Sequence, residues 1–312
     1  NNSFCYTNFM DRTPIPETEL LETGKLKEKL AAIKLPPDLL EKATLMIHRA
    51  ETAIKYGGYF AGIEQTENYI NLVSTLPWFT RSEDILDIQK AKTILDKNHY
   101  GLTEIKDRIL EYIAVLKLSK AFSADTLDSI DVTKRAPILL FVGLVGAGKT
   151  TIAAAIAEAM GRKFIRIPFG GLGSARELRG QSRAFPDAEP GLIIKAILRA
   201  GTKNPVVLFD ELDRVTADAR ADIMGVLVEL MDPEQNKAFV DHYVDYPINL
   251  SEVLFIGTSN KTDDIAQAVM DRFEPIRMPF YNDKEKIEIG RNYMLPKIMK
   301  ASGLQPNQLI IQ

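Results

Sequence analysis

The sequence predicts an α/β fold: a central parallel sheet of five strands, preceded by an all-helical region and followed by the start of another helical one. Three observations carry this. Apolar runs of β character, ILLFVG, KFIRIPF, VVLFDE and VLFIGTSN, alternate with helical segments at Lys149–Met160, from about Gly191, and near 219–231. Continuous apolar strands between helices indicate a parallel sheet covered on both faces. From Glu17 to about Phe122 the apolar spacing is helical instead. Finally, the first of the apolar runs leads directly into a glycine-rich turn and a helix, GLVGAGKTT, Gly143 to Thr151.

In chain order, residues 1–16 carry two prolines and no periodicity, and are expected to be a loose arm. Residues 17–97 form the expected helical domain. One helix runs to Leu35 and stops at Pro36-Pro37, which an interior helical position excludes. A second runs on to Gly57-Gly58, a third to the turn at Pro77, and two more are separated by Tyr100-Gly101. In the last of these Ile105, Ile109, Ile113 and Leu116 define one buried face. Residues 123–136 are polar and read as an exposed loop. The α/β domain is expected over 98–281, and the helical segment NDKEKIEIGRNYMLPKIMKASG opens a further module at 282–312.

Composition sets broad limits. The chain has 312 residues, is 46% hydrophobic and 26% charged, and carries a formal net charge of −3. That is an ordinary globular balance. No dense Lys/Arg run suggests a nucleic-acid footprint, and no apolar run reaches bilayer-spanning length. The one cysteine, Cys5, excludes an intrachain disulfide and a cysteine-based metal site. The first residue is Asn and no signal-peptide pattern follows it, so a fragment or a processed product is expected.

Gly143-Leu144-Val145-Gly146-Ala147-Gly148-Lys149-Thr150 satisfies G-x-x-x-x-G-K-[ST]. Glycines let consecutive N–H groups turn toward an anion, and the helix that follows presents its N-terminus to the same point. Lys149 is expected on the β- and γ-phosphates and the Thr150 hydroxyl on Mg²⁺. A bound triphosphate alone fits a kinase, a GTPase switch, a transporter subunit or a protein-unfolding motor. VVLFDELD adds Asp210 at a strand end, placed to hold the Mg²⁺ shell, and Glu211, placed to deprotonate a water. The strand KFIRIPF between the two motifs predicts a five-stranded core with Glu211 on a central strand, which counts against a Ras-like switch. A small-molecule kinase would not need Glu211. Asn260, ending VLFIGTSN, can position the lytic water. Arg272 in MDRFEP is a candidate arginine finger for a neighbouring subunit.

The order Lys149-Thr150, Asp210-Glu211, Asn260, Arg272 resembles that of an AAA+ P-loop ATPase. LMDPEQNKAFVDHYVDYPINLSEVLFIGTSN (Leu230–Asn260) resembles, more narrowly, the ATPase module of the Lon protease family. So do NHYGL (Asn98–Leu102), LPW (Leu76–Trp78), ELRG (Glu177–Gly180) and the phosphate loop followed by GRKFIRI, over about 45–300. The resemblance implies ATP and Mg²⁺ as cofactors. It implies a nucleotide site of Gly143, Leu144, Val145, Gly146, Ala147, Gly148, Lys149, Thr150 and Thr151 with His99 and Tyr100. Metal ligation falls to Thr150 and Asp210, base catalysis to Glu211, the sensor to Asn260 and the trans-acting finger to Arg272. It also implies a homo-hexameric ring in the cytoplasm acting on unfolded or damaged proteins.

In that pattern the segment after ELRG is a substrate-gripping pore loop with an aromatic-apolar pair; here QSRAFPDAEPG puts Phe185 and Pro186 at the two positions. Ala219-Arg220 falls where a second pore loop lies. Two stretches depart from the family. Leu144-Val145 replace two prolines, and Pro186-Asp187 replace an apolar residue and a glycine. The family places its Ser-Lys peptidase domain and a lid bearing a sensor-2 arginine beyond the residues matched. Ser119-Lys120, adjacent on a helix and about 100° apart, are not read as that dyad. Two alternatives stay open: a protease-lacking remodelling ATPase, and a nucleotide-gated scaffold with little turnover.

Overall fold

The computed structural model describes the backbone at residues 17–55, 63–125, 138–305 and 309, and their side chains except at 17–22, 63 and 119–125. The expected arm at 1–16 with Cys5, the Gly57-Gly58 turn and residues 126–136 of the expected loop lie outside the described residues. The chain divides into two compact units, Asn1–Trp78 and Phe79–Gln312.

The first unit contains α1 (Glu17–Ala32), α2 (Pro37–Lys55) and α3 (Ile63–Thr75). Pro37 opens α2, where its missing N–H costs nothing because first-turn donors have no helical acceptor. Leu39, Ala43, Ile47, Ala50 and Ile54 recur every three or four residues and are all buried, so α2 turns one apolar stripe inward. Tyr69, Ile70 and Val73 of α3 are buried as well.

The second unit begins with a stretch outside helix and strand. Asp84 on it takes both Arg162 Nε (2.7 Å) and Nη2 (2.9 Å). Asp87 then caps α4 (Ile88–Asn98), accepting the Gln89 and Lys90 N–H groups at 2.9 and 3.2 Å. Residues 79–97, grouped with the helical domain on sequence, belong to this unit: Ala91 and Leu95 of α4 enter the core formed with the phosphate-loop helix. The helix α5 (Thr103–Asp125) carries the expected stripe, with Ile105, Ile109 and Ile113 buried. It runs to Asp125, so residues 123–125, expected to begin the loop, are helical; Ala121 and Ala124 suit a last helical turn.

Five parallel strands follow: β1 (Ile138–Val142), β2 (Phe164–Pro168), β3 (Val206–Asp210), β6 (Leu254–Ser259) and β7 (Phe273–Arg277), in the order β2-β3-β6-β1-β7. Between β3 and β6 in sequence lies the short antiparallel pair β4 (Phe239–Val240) and β5 (Pro247–Ile248). Every residue of β3 and β6 is buried, as expected of interior strands of a sheet covered on both faces. β3, the strand preceding Glu211, is interior as the sequence suggested, and β6 takes the middle position beside it. β7 pairs with β1 alone, so the edge tolerates its Pro275.

The covering helices are α6 (Lys149–Met160), α7 (Arg176–Arg179), α8 (Leu192–Ala200), α9 (Arg220–Met231) and α10 (Gln267–Met270). The chain then enters α11 (Asp283–Ile289) through a capping box. Glu285 N–H donates to Asn282 Oδ1 at 2.9 Å and Asn282 N–H to Glu285 Oε2 at 2.8 Å. A π-turn at Gly290–Met294 links α11 to α12 (Leu295–Ala301). No helix among the described residues is long and apolar enough to cross a membrane.

Candidate active site

Because the strands are parallel, the segments leaving β1, β3 and β6 all emerge at one end of the sheet. This brings together motifs that lie more than a hundred residues apart in sequence. The phosphate loop leaves β1, Asp210-Glu211 ends β3, and Asn260 follows β6. They line one cavity of about 460 Å³.

The loop geometry depends on glycine at two points. Gly146 and Gly148 have φ of 86° and 87°, a region costly for any residue with a Cβ. Gly148 is also the N-cap of α6, so the unpaired first-turn N–H groups of that helix face the cavity. Lys149 Nζ folds back over the loop, donating to the carbonyls of Gly143 and Leu144 (3.0 Å) and to Asn260 Oδ1 (2.9 Å). Burial draws the Lys149 ammonium below its ordinary pKa, against the pull of Asp213, Asp210 and Glu211.

The acidic side is equally built. Asp210 is buried; its Oδ1 accepts from the Thr258 hydroxyl and lies 3.5 Å from Thr150 Oγ1, and its Oδ2 takes Arg166 Nε. Among the described residues no group of three His, Cys, Asp or Glu side chains forms a metal cage. Thr150 with Asp210 is instead the sparse oxygen set that Mg²⁺ uses when phosphate oxygens and water complete its octahedron, so these residues fit that ion. Glu211 sits at φ 61°, ψ 51°, an uncommon conformation for a residue with a side chain and one concentrated at functional positions. Its N–H is fixed by Thr258 Oγ1 (3.0 Å) and its carboxylate by Arg214 (2.9 Å). Asn260 is oriented by Asp213, which accepts its backbone N–H at 3.1 Å and its side-chain amide at 3.3 Å.

Val145 to Thr151, His99, Tyr100, Asp210, Glu211 and Asn260 thus meet at one cavity, while Gly143 and Leu144 contribute through carbonyls behind it. His99 is buried against the loop, its Nδ1 3.8 Å from where a Cβ on Gly148 would stand. Burial lowers its pKa more than a hydrogen bond with the Thr151 backbone raises it, with Lys106 and Lys297 also pushing down. The opposite wall was not anticipated from sequence: Ile289, Tyr293, Met294 and Lys297 come from the C-terminal helical segment, and Tyr281 from the stretch that leads into it. Tyr293 packs edge-on against Tyr100 at 6.4 Å and donates to the Asp96 carbonyl at 3.2 Å. Arg166, Asp213, Arg214 and Thr258 were missed too. The charged residues carried no motif, and Thr258 was visible only as the hydroxyl residue two places before Asn260.

Two candidates lie elsewhere. Arg272 precedes β7, and its carbonyl accepts from Ile138 N–H at the start of β1 (3.4 Å), at the end of the sheet away from the phosphate loop. Its guanidinium donates to the Ala268 carbonyl (2.8 Å) and to Asp232 (3.4 Å). Phe185 and Pro186 are exposed on a loop closed by a hydrogen bond from Gln181 N–H to the Glu189 carbonyl (3.1 Å). Ala219 is buried and Arg220 pairs with Asp264 at 2.9 Å, so that pair is engaged inside the domain.

The profile of the family described as "ATPase family associated with various cellular activities (AAA)" matches residues 139–279, which span the whole sheet but for the first residue of β1. Over 290 residues, 93% of this chain, it is 42% identical to Lon protease 2 of Thermus thermophilus and to Lon protease of Lawsonia intracellularis, covering 36% and 33% of those proteins. It is 43% identical to Lon protease of Aquifex aeolicus over 80% of this chain and 30% of that one. The chain belongs to the Lon family and corresponds to its ATPase region. It spans about a third of the length of the Lon proteases it matches. The AAA match covers the phosphate loop, Asp210-Glu211, Asn260 and Arg272 together, and all but Arg272 lie at the cavity at the sheet end.

Proposed function

We propose that this module hydrolyses ATP to drive unfolded polypeptide through a homo-hexameric ring toward a Ser-Lys peptidase domain, in the cytoplasm. The observation that carries the hydrolytic part is the convergence of Lys149, Thr150, Asp210, Glu211 and Asn260 on one cavity while Arg272 lies at the far end of the same sheet. The N–H groups at the start of α6 and the Lys149 ammonium hold the phosphates, and His99 and Tyr100 border the base side. Thr150 and Asp210 hold Mg²⁺, which when bound neutralises phosphate charge. Glu211 takes the proton from the attacking water, and Asn260, steadied by Asp213, aligns that water. Arg272 reaches the triphosphate of the adjacent subunit, so each site is completed by its neighbour. Phe185, exposed at the tip of its loop, stacks on the translocating chain; Pro186 stiffens the loop beside it.

Glu211→Gln tests the assignment. Removing the base while leaving the loop intact is expected to lower hydrolysis by about 10²–10⁴ with nucleotide affinity retained. Turnover near the parent rate in that variant would exclude Glu211 as the base.

A further inference from the structure

The string that most narrowly marks the family resemblance, DPEQN…DHY, takes no part in the nucleotide site: none of residues 232–243 lines the cavity. It lies between two other working parts. At its start Asp232 Oδ1 accepts the Glu234 and Gln235 N–H groups at 2.9 and 3.2 Å, and Oδ2 takes Arg272 Nη2 at 3.4 Å. At its end Asp241 is fully buried. Its Oδ1 accepts from Tyr243 and Val244 N–H at 2.8 and 3.1 Å, and its Oδ2 from Gly191 N–H at 2.8 Å.

Gly191 is the foot of the exposed loop 181–190, and the other foot is held from the same string. His242 N–H donates to the carbonyl of Arg179 at 2.7 Å, one residue before Gly180. The two feet are pressed together so closely that a Cβ on Gly191 would fall 2.1 Å from the Leu178 carbonyl oxygen. A Cβ on Gly180 would fall 2.8 Å from Asp241 Oδ1. A buried carboxylate accepts from both sides at once, which an amide, with one accepting atom, does not do.

The run between Asp232 and Asp241 is fixed along its length. Asn236 N–H donates to the Asp232 carbonyl (2.9 Å), and its own carbonyl accepts from Leu250 N–H (2.9 Å). Its side-chain amide donates to the Leu230 carbonyl (3.2 Å). Phe239 is buried, pairs with Ile248, and lies 5.8 Å from the Arg179 guanidinium.

We propose that residues 232–241 are a strut, with Asp232 the positioning residue for Arg272 and Asp241 the positioning residue for loop 181–190, so that what Arg272 contacts is transmitted to the loop. The proposal rests on Arg272 as the finger and 181–190 as the substrate loop. A rigid element gripped at both ends is the physical requirement for such transmission. Amide hydrogen exchange of the assembled full-length protein tests it. Asp241→Asn is expected to speed exchange at Gln181 and Gly191 by about tenfold. Asp232→Asn, which touches neither, is expected to speed the same amides by about threefold. Asp241→Asn is also expected to lower casein-stimulated ATPase kcat while leaving the KM for ATP unchanged, a split that loosened packing alone does not produce. Parent-like loop exchange in Asp232→Asn overturns the strut, as does parent-like exchange in Asp241→Asn. If Asp241→Asn does not fold, Asp232→Asn decides alone, since Asp232 lies near the surface. ATPase unaffected by Arg272→Ala would instead refute the finger, and the exchange measurements would still judge the strut.

Discussion

If Arg272 serves the neighbouring subunit, the defect in Arg272→Ala must be repairable by a partner that has lost its own phosphate site. The structure supplies the geometric part of this expectation. Arg272 adjoins the first residue of β1, and the phosphate loop begins after the fifth. At about 3.3 Å per residue that separates them by roughly 13 Å along the sheet, more than an arginine side chain spans. Two contacts position Arg272: a half-buried pair with Asp232 at 3.4 Å and one backbone carbonyl. The pair is longer than an ordinary charge-assisted hydrogen bond, so a phosphate in the adjoining site can draw the guanidinium away and leave Asp232 to register the change. A finger contributes about 10³–10⁵ in rate, so Arg272→Ala alone is expected to be nearly inactive, as is Lys149→Ala. Mixed 1:1 before assembly, head-to-tail rings hold an intact Lys149 facing an intact Arg272 at about a quarter of interfaces, so about a quarter of parental ATPase should return. The assay is phosphate release against mixing ratio. A flat line near zero at every ratio refutes the shared site, as does an Arg272→Ala homo-oligomer with parental turnover.

Other perturbations separate loop shape from loop charge. Gly148→Ala meets only ordinary contacts, 3.4 Å to Thr151 Oγ1 and 3.8 Å to His99, but forces φ 87° on an alanine. The cost of about 1–2 kcal/mol should appear as roughly five- to thirtyfold weaker binding of a fluorescent ATP analogue. Gly143→Ala has no such backbone strain and meets the Met278 carbonyl at 2.9 Å instead, so it should lower the midpoint of urea unfolding. The Lys149 pKa is depressed, chiefly by burial, so its charge is lost as pH rises through a value below the ordinary 10.5. ATP affinity should therefore weaken on the alkaline side sooner than a free lysine predicts, and Lys149→Arg should flatten that fall. Phe185→Ala should leave basal nucleotide affinity alone and abolish unfolding of a tagged substrate; normal unfolding would reduce Phe185 to a surface residue.

What the sequence revealed and what it hid follow from how each element is stabilised. β1, β3 and β6 were legible because strands buried on both faces are continuous apolar runs, and each ended in a motif residue. β7 was not, because an edge strand with one neighbour accommodates Glu274, Pro275 and Arg277, which break the apolar run. Strand order was hidden as well: β6 inserts between β3 and β1, and only the parallel pairings of Leu139 with Ile256 and Val207 with Phe255 reveal it. Lys149, Thr150, Asp210 and Glu211 could be placed because phosphate chemistry requires them at fixed spacing from a strand end. Arg166, Arg214 and Asp213 answer instead to Asp210, Glu211 and Asn260, contacts that only the folded chain makes visible.

The Leu144-Val145 substitution sharpens what the phosphate loop requires. Both side chains are exposed, so neither is held in place by packing, and the stiffness that prolines would lend is absent. The loop is instead tied at both ends. Gly143 N–H donates to the Ser259 carbonyl at 3.1 Å, and Ala147 N–H closes a turn onto the Leu144 carbonyl at 3.3 Å. Lys149 then bridges Gly143, Leu144 and Asn260 from within. In the proposed mechanism, phosphate that takes the ammonium releases those acceptors together and frees Asn260 from Lys149, while Asp213 still holds its backbone and side-chain amides. Proline would have rigidified the loop through the unfolded chain's entropy. Here Lys149 itself ties the loop, and under the proposed mechanism phosphate binding and release of the Asn260 amide are one event.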